Sequence, residues 1–275
     1  MENKKIIDIE PLVRQSKNKF IRNLPSWTIK LIKKIICEDD LNRIYIQFQD
    51  LQGIDFLRAV LFQELKVKVE YYCETDIDPN GRYIYIANHP LGAVDAMAHF
   101  DLMYKYHNRG VSPSNELFEV IPNLHSIITG VNVFGRNPKH RAVELNELFA
   151  SDIPVMMFPA GEVSRLIGFS IRDPQWKKTF ITKAVKYQRD IVPSFISGRN
   201  SFYFYLIAKL RKLLGIKLYI ETMLLPREML NKYDYNLKIY TLSPIKWQEI
   251  ANSGKDHIWW LNEIYKRVYQ VRKKL

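Results

Sequence analysis

Apolar residues recur along the chain with two different spacings. In the first 65 or so residues they repeat every three to four positions, as on one face of a helix, in segments that begin at Ser26, Asp40 and Asp55. Farther on, short runs rich in β-branched and aromatic residues alternate with helical patterns. This alternation predicts an α/β layer architecture.

The predicted elements divide the chain into an N-terminal helical region, 1–65, and a larger domain, 66–275. The strand candidates are Tyr83–Ala87, Asn132–Phe134, Pro154–Phe158, Ile191–Ile196, Lys217–Leu225 and Leu237–Leu242. Helical patterns lie near Ala96–Tyr106, Arg141–Ala150 and Phe180–Gln188. In α/β folds ligands gather at the carboxyl ends of the strands, so the residues that follow each strand are the first candidates for a site.

The helix predicted from Ser26 is amphipathic and permits two interpretations. Its apolar half includes Trp27, Leu31 and Ile35, and its polar half carries Lys30, Lys33 and Lys34. Such a helix can pack on a protein core. A tryptophan opposite three lysines is also typical of a helix that lies in a membrane interface, which makes these six residues candidates for membrane docking.

Charge changes the picture through its distribution. The chain carries 41 Lys+Arg against 29 Asp+Glu, a net charge of +12 that calls for an anionic partner. The excess lies in residues 1–36, 199–217 and 266–275, so the rest of the chain is mildly acidic. The aromatic and basic residues of 199–217 fit either a single-stranded nucleic acid or a lipid headgroup layer.

Composition excludes several classes of protein. With 14 Phe, 16 Tyr and 5 Trp the chain is too apolar to be disordered. Two cysteines and no cluster of ligand-type residues predict neither a disulfide framework nor a metal site. We see no secretory signal, and the longest uncharged run, 120–135, is too short for a membrane span. A reduced, cytoplasmic protein is expected.

A candidate general base follows the first strand. His89 comes directly after Tyr83–Ala87 and Asn88, and Asp95 follows six residues later. A carboxylate that accepts the imidazole N–H fixes the tautomer and stabilises the imidazolium, so the pair could take a proton from a substrate. A single His and Asp pair can equally be a histidine satisfied in a turn.

Later strand exits carry groups suited to anions. Arg136 follows the second strand, and an arginine there can clamp a phosphate with two parallel hydrogen bonds. The third exit contains Gly161, Ser164 and Arg165, which offer backbone N–H groups and a cation.

A fourth exit, Ser197–Ser201, follows the strand Ile191–Ile196. The four exits in this order resemble the glycerolipid acyltransferase family of the lysophosphatidic acid acyltransferase type. Its blocks are N-H-x4-D, G-x5-R, F-P-E-G-T-R-S and a V-P-containing strand, and the resemblance covers roughly residues 80–200. The matching residues are Asn88, His89, Asp95, Gly130, Arg136, Phe158, Pro159, Gly161, Ser164, Arg165 and Ile191–Pro193. The helix from Ser26 resembles the membrane-docking region of bacterial members.

Two departures point to one branch of that family. The first block is H-x5-D, one residue longer than usual, and Pro90 and Gly92 predict a turn that absorbs the extra residue. Ala160 stands where the family has Glu, and Glu162 lies two positions on. The H-P-x-G-x-x-D form and the run Ser197–Ser201 resemble haemolysin-like and amino-acid-lipid O-acyltransferases.

The resemblance implies a mixed central sheet flanked by helices and an acyl transfer to the hydroxyl of a lysolipid. It makes His89 and Asp95 catalytic. It makes the following residues substrate-binding: Arg136, Gly161, Glu162, Ser164, Arg165, Arg199 and Asn200. The acceptor would be 1-acylglycerol-3-phosphate or a lyso-amino-acid lipid.

The other implied partners are an acyl donor and a membrane. Acyl carrier protein or acyl-CoA would be the co-substrate, and no cofactor is expected. The protein would lie peripherally on the cytoplasmic, anionic face of the inner membrane. Nucleic acid is not expected as a partner, because it leaves the four blocks unexplained. A thioester or lipid hydrolase and a non-catalytic membrane-binding module remain alternatives.

Overall fold

A computed structural model describes residues 5–115, 118, 120–131, 138–216 and 218–273. The N-terminal region is helical, as predicted. Its helices are α1 (Ile9–Arg14), α2 (Lys19–Arg22), α3 (Ser26–Ile35), α4 (Glu38–Phe48) and α5 (Gly53–Arg58), and α5 continues as a π-helix over Ala59–Glu64.

The remaining elements alternate between strands and helices. They are β1 (Lys68–Cys73), β2 (Tyr83–Ala87), α6 (Ala93–His107), β3 (Ser112–Asn115), β4 (Ile128–Val131), α7 (Pro138–Ala150), β5 (Val155–Met157), β6 (Arg165–Ile167), β7 (Ser170–Arg172), α8 (Thr179–Tyr187), β8 (Asp190–Ile196), α9 (Phe202–Leu213), α10 (Leu225–Leu230), β9 (Asn236–Thr241), α11 (Trp247–Asn252) and α12 (His257–Gln270). Short 3₁₀ turns cover Pro122–Leu124, Ile220–Leu224 and Val271–Lys273.

The central sheet is mixed, with strand order β1-β9-β8-β2-β5. β2 is parallel to both β5 and β8, β1 is parallel to β9, and β8 and β9 are antiparallel. A short parallel pair, β3 and β4, and an antiparallel hairpin, β6 and β7, lie outside it. The predicted fold class, α/β with a mixed central sheet flanked by helices, is confirmed.

Two hydrophobic clusters cover the two faces of this sheet. β2 is buried throughout, and its alternation sends Tyr83 and Tyr85 to one cluster and Ile84 and Ile86 to the other. The first cluster also contains residues from α4, α5 and α6, and the second contains residues from α8 and α12. Because residues from Ile44 onward share the first cluster with the sheet, α4 and α5 pack against the larger domain. The division at residue 65 stays a prediction.

Most predicted strands are confirmed, and one is wrong. Lys217–Leu225 was expected to be a strand, but within it Ile220–Leu224 forms a 3₁₀ turn and Leu225 begins α10. Two features explain this: Glu221 is fully buried between Arg165 and Arg211, and Pro226 occupies the first turn of α10. The strand expected at Asn132–Phe134 lies outside the described residues.

Candidate active site

Parallel pairing brings three strand exits to one edge of the sheet. β2, β5 and β8 all end there, so the chain following each strand converges. The side chain of Asn88 joins two of these exits: its Nδ2 donates to Ile196 O at 2.9 Å, and its Oδ1 accepts from Ile196 N at 2.7 Å. This buried amide continues the ladder between β2 and β8 by one step and fixes the position of the next residue, His89.

His89 and Asp95 are in contact, with Nδ1 of the ring 2.9 Å from Asp95 Oδ1. The other carboxylate oxygen accepts from Leu91 N at 2.6 Å and from Gly92 N at 3.3 Å. Asp95 is fully buried in the first turn of α6. Because a carboxylate only accepts, the Nδ1 atom of His89 carries the proton and Nε2 keeps its lone pair.

The turn between them absorbs the extra residue of H-x5-D, as the sequence predicted. Gly92 has φ 87° and ψ −109°, a conformation open to glycine alone, and it lets the chain reverse before α6 begins. A Cβ at this position would lie 3.3 Å from Cδ2 of Leu225. The longer spacing therefore costs no contact between His89 and Asp95.

The surroundings of His89 suit a base. Its ring stacks on Phe158, with centroids 3.9 Å apart, and its side chain is 16% exposed. Burial alone would lower the pKa of His89, but the charge and hydrogen bond of Asp95, helped by the charge of Asp173, outweigh it and raise the pKa above its ordinary value of 6.5.

Asp173 organises the same turn, and sequence reasoning missed it. Its Oδ1 accepts from His89 N at 3.1 Å and from the hydroxyl of Ser164, and its Oδ2 accepts from Trp176 Nε1 at 2.8 Å. Ser164 N in turn donates to His89 O at 2.7 Å. Burial raises the pKa of Asp173, an effect that these hydrogen bonds oppose. No sequence motif predicts this role for Asp173, because His89 lies 84 residues away in the chain.

Ser164, a predicted substrate contact, is engaged within the protein. Its side chain is buried and its hydroxyl is committed to Asp173. The serine therefore joins the loop after β5 to the His89 turn. Gly161, with φ 69°, lies exposed in the tight turn before it, where its N–H donates to Phe158 O at 2.9 Å.

Arg165 belongs to a buried ion cluster. Its Nη2 lies 3.2 Å from Oε1 of Glu221, and Nε of Arg211 lies 2.8 Å from Oε2 of the same carboxylate. Two guanidinium groups therefore share one fully buried carboxylate and leave an excess of one positive charge. Glu162, more exposed, lies 3.7 Å from Arg165 and could offset part of that charge. Glu221 and Arg211 carry no sequence signal for this role.

The exit of β8 places two more predicted residues close by. Arg199 is exposed, and Asn200 is buried with its backbone N–H donating to Tyr205 Oη at 2.9 Å. Within the described part of the chain, neither amide atom of the Asn200 side chain has a hydrogen-bond partner. Arg136 lies outside the described residues, and Gly130 lies in β4.

A second buried histidine lies behind Phe158. His99 is on α6 four residues after Asp95, a spacing that puts both on one helix face and could have signalled it. Burial, and then the charge of His89, lower the pKa of His99 to about 3, so it is neutral. Its ring nitrogens have no hydrogen-bond partner among the described residues.

The proposed docking helix, α3, is half buried. Ile29 packs inward, whereas Trp27 is 68% exposed and Leu31 is 49% exposed. Lys30 and Lys34 are exposed and Ile35 is partly buried. Both interpretations of this helix thus describe part of it: one side packs on the protein and another remains bare.

Lys33 differs from the other two lysines. Its Nζ lies 3.5 Å from Asp8, 3.4 Å from Glu10 and 3.5 Å from Glu38. Burial lowers the pKa of Lys33, but the charge of buried Glu38 and its acidic neighbours outweighs this and raises it. The ammonium is therefore held inside the N-terminal region rather than presented to a surface.

Across the described ranges no group of three or more His, Cys, Asp or Glu could hold a metal ion. No helix in that part of the chain is long and apolar enough to cross a membrane.

Comparison with known proteins identifies the class. The acyltransferase family model matches residues 12–275, and the chain belongs to this family. It is 33% identical over 255 residues to a lyso-glycine lipid O-acyltransferase of Phocaeicola vulgatus, covering 92% of this chain and 91% of the relative. It is 32% identical over 273 residues to a lyso-glycine lipid O-acyltransferase of Bacteroides thetaiotaomicron, covering 97% of each.

Among solved structures it is similar to the 1-acyl-sn-glycerophosphate acyltransferase PlsC from Thermotoga maritima, at 15% identity and a TM-score of 0.47, with 90% of this chain and 92% of that chain covered. The chain is an O-acyltransferase of lipid biosynthesis. The resemblance seen in its motifs is thereby confirmed.

Proposed function

We propose that this enzyme moves a fatty acyl group from an acyl thioester to the hydroxyl of a lyso-amino-acid lipid, with His89 as general base. The observation that carries the proposal is the 2.9 Å contact between His89 and the buried carboxylate of Asp95. The names of two relatives, both lyso-glycine lipid O-acyltransferases, support this acceptor over 1-acylglycerol-3-phosphate.

The reaction needs one proton carrier and no acyl-enzyme. Nε2 of His89 takes the hydroxyl proton while Asp95 stabilises the imidazolium. The acceptor oxygen attacks the thioester carbonyl and forms the new ester C–O bond. The C–S bond then breaks, and the leaving sulfur takes the proton from His89. The products are the acylated lipid and the free thiol of acyl carrier protein or CoA.

The acceptor's anionic head needs cations near this base. The Arg165 and Arg211 pair around Glu221 carries one positive charge more than that carboxylate, offset in part by the half-exposed Glu162, and joins the His89 turn through Ser164. Arg199 is exposed at the neighbouring strand exit. We assign the carboxylate of the lipid head to this region. Arg136, Gly161, Glu162 and Asn200 remain proposed substrate contacts.

The membrane part of the proposal rests on α3. Its exposed Trp27 and Leu31 lie beside exposed Lys30 and Lys34, the composition of an interfacial helix. The enzyme would lie peripherally on the cytoplasmic face of the inner membrane, held by anionic lipid. Because Lys33 is engaged by three carboxylates, Lys30 and Lys34 supply the attraction.

The base is tested by His89→Ala. Turnover should fall by about 10²–10⁴-fold or more, while vesicle binding and the thermal midpoint stay near those of the native protein. His257→Ala is the matched control, since this histidine begins α12 far along the chain and contacts Thr182. Activity of His89→Ala within a few-fold of the native enzyme would remove His89 from the mechanism.

A panel of substrates tests the rest. Purified enzyme would be assayed with acyl carrier protein thioesters and CoA thioesters against lyso-glycine lipid, other lyso-amino-acid lipids and 1-acylglycerol-3-phosphate. The proposal expects the highest kcat/KM with a carboxylate-bearing acceptor. Preference for the phosphate acceptor would overturn the acceptor assignment, and full-rate acyl release without any acceptor would indicate a hydrolase.

A further inference from the structure

α9 is apolar on both sides, although only one side is packed. Phe204, Tyr205 and Ala208 face inward and are buried. The outward side carries large apolar residues that are between 46% and 81% exposed: Phe202, Tyr203, Leu210 and Leu213. Large apolar residues on the exposed side of a helix are normally covered, by protein or by lipid.

The bare surface continues beyond α9. Leu214, Ile216 and Leu218 follow the helix and are exposed, with Leu218 at 72%. The β6–β7 hairpin packs against α9 and ends in a turn at Gly168 and Phe169. The side chain of Phe169 is fully exposed. Exposed apolar side chains thus lie at the end of α9, on the segment that follows it and at the tip of the hairpin that packs against the helix.

The exposed charges on α9 are positive, and the half-exposed carboxylate of Glu162 lies 3.4 Å from Tyr219 Oη, just beyond the segment that follows the helix. Lys209 and Lys212 are exposed on α9, and residues 199–216 contain no acid. The first acid that follows, Glu221, is buried between Arg165 and Arg211 and contributes no free negative charge. Lysines beside bare leucines and aromatic rings match the headgroup layer of an anionic bilayer.

This surface is one layer away from the catalytic turn. Val163, Phe204 and Tyr205 form a small buried cluster with Leu225 packed against it. A side-chain methyl of Leu225 lies within 3.3 Å of the Cβ position of Gly92. The residue after Val163 donates its N–H to the backbone carbonyl of the catalytic histidine. A lipid that leaves the bilayer here would have a short path to the base.

We propose that Phe169, Phe202, Leu210, Leu213, Leu214 and Leu218 form a second membrane-inserting surface, the hairpin–helix surface, distinct from α3 and placed beside the active site. Its occupant is an anionic lipid bilayer. The inference that acceptor lipid enters here rests on the proposed function, whereas insertion itself does not. A lone Phe at a hairpin tip, fully exposed, can enter a fluid apolar layer without a matching pocket, which favours lipid over a protein partner.

The first experiment measures insertion directly. In a background of Cys37→Ser and Cys73→Ser, which removes both thiols, Phe169→Cys is labelled with an environment-sensitive dye. Vesicles of phosphatidylethanolamine and phosphatidylglycerol should shift its emission to the blue. The same label at Ile258→Cys, an exposed apolar residue on α12, should not respond. An unchanged spectrum at residue 169 in bound protein would overturn the proposal.

The second experiment measures how much the hairpin–helix surface contributes to vesicle binding. Leu213→Ser with Leu214→Ser should weaken vesicle binding by at least ~10-fold, since each leucine loses most of its transfer into hydrocarbon. Lys209→Gln should weaken binding about 5-fold on anionic vesicles and leave neutral vesicles unaffected. Activity on acceptor held in detergent micelles should stay native, and activity on vesicle-borne acceptor should fall with binding.

Ile258→Ser is the matched control and should leave both assays unchanged. Native vesicle binding by the double leucine variant would refute the proposal. So would a loss of micelle activity restricted to acyl carrier protein thioesters, because that result would make the surface a docking site for an acidic carrier protein. The vesicle assays need no turnover, so an enzyme that binds and inserts but transfers nothing would contradict the proposed function alone.

Discussion

Replacing Asp95 by Asn separates orientation of the base from its presence. The carboxylate of Asp95 accepts from Leu91 N, Gly92 N and Nδ1 of His89. An asparagine oxygen can keep the two backbone donors, but its NH₂ then faces His89 and can only donate. The imidazole must accept at Nδ1 and carry its proton on Nε2, where it cannot act as a base.

We therefore expect Asp95→Asn to lower kcat/KM by about 10²–10⁴-fold, the whole contribution of general base catalysis. The native acid limb should lie above pH 6.5, because His89 must be unprotonated to act and its pKa is raised. In the variant the carboxylate of Asp95 no longer raises the pKa of His89, and burial, which lowers that pKa, becomes the largest influence on it. The acid limb of the residual activity should therefore move to lower pH.

The assay is the pH profile of kcat/KM, with initial rates from thiol release and ester formation counted separately. His89→Ala and the double variant should be about as slow as Asp95→Asn, because residues that act as a unit are not additive. A variant profile with an unmoved acid limb, or a rate within about fivefold of native, would show that Asp95 does not set the tautomer of His89.

Three further substitutions test the supports of the site. Gly92→Ala should lower the free energy of unfolding in urea by about 1–3 kcal/mol, since φ 87° with ψ −109° is strained for any residue with a side chain. The kcat should fall as well, and a native stability and kcat would contradict this reasoning. Glu221→Gln leaves Arg165 and Arg211 with no carboxylate between them and should cost about 3–5 kcal/mol in the same measurement, whereas a loss below 1 kcal/mol would mean that the pair is solvated. Asp173→Asn should leave the buried indole N–H of Trp176 unpaired and lower the free energy of unfolding by about 1–3 kcal/mol. It should lower kcat more than it raises KM for the acceptor, whereas an effect on KM alone would place Asp173 in acceptor binding.

The parts of the fold and site that sequence could predict are those with local signals. The apolar runs within β2 and β8 stand out, and the motif following β2 contains both His89 and Asp95 within seven residues. The turn that accommodates the longer spacing can also be predicted from the sequence. Pro90 fixes its own φ angle, and Gly92 can adopt the positive φ that the turn requires.

The rest depends on partners that are distant in sequence. Asp173 reads as an ordinary polar residue before a proline, yet it ties His89 to the loop after β5. The segment around Glu221 was mistaken for a strand, because its burial comes from two arginines rather than from neighbouring apolar residues. The helical pattern placed Lys33 on the predicted interfacial face, but in the folded chain three carboxylates lie within 3.5 Å of its ammonium.

The position of β9 has a consequence for how the enzyme is made. Strand β9 lies between β1 and β8. Strand β1 can therefore join the sheet only after β9 has been synthesised, because Lys68 pairs with Asn236. At about 5–20 residues per second, ribosomal synthesis separates those two residues by roughly 10 to 30 s. During that interval α3 has already emerged with Trp27 and Leu31 bare. On the proposed docking of α3, the nascent N-terminal helices reach the bilayer first, and the β1 side of the sheet closes on a chain already anchored there.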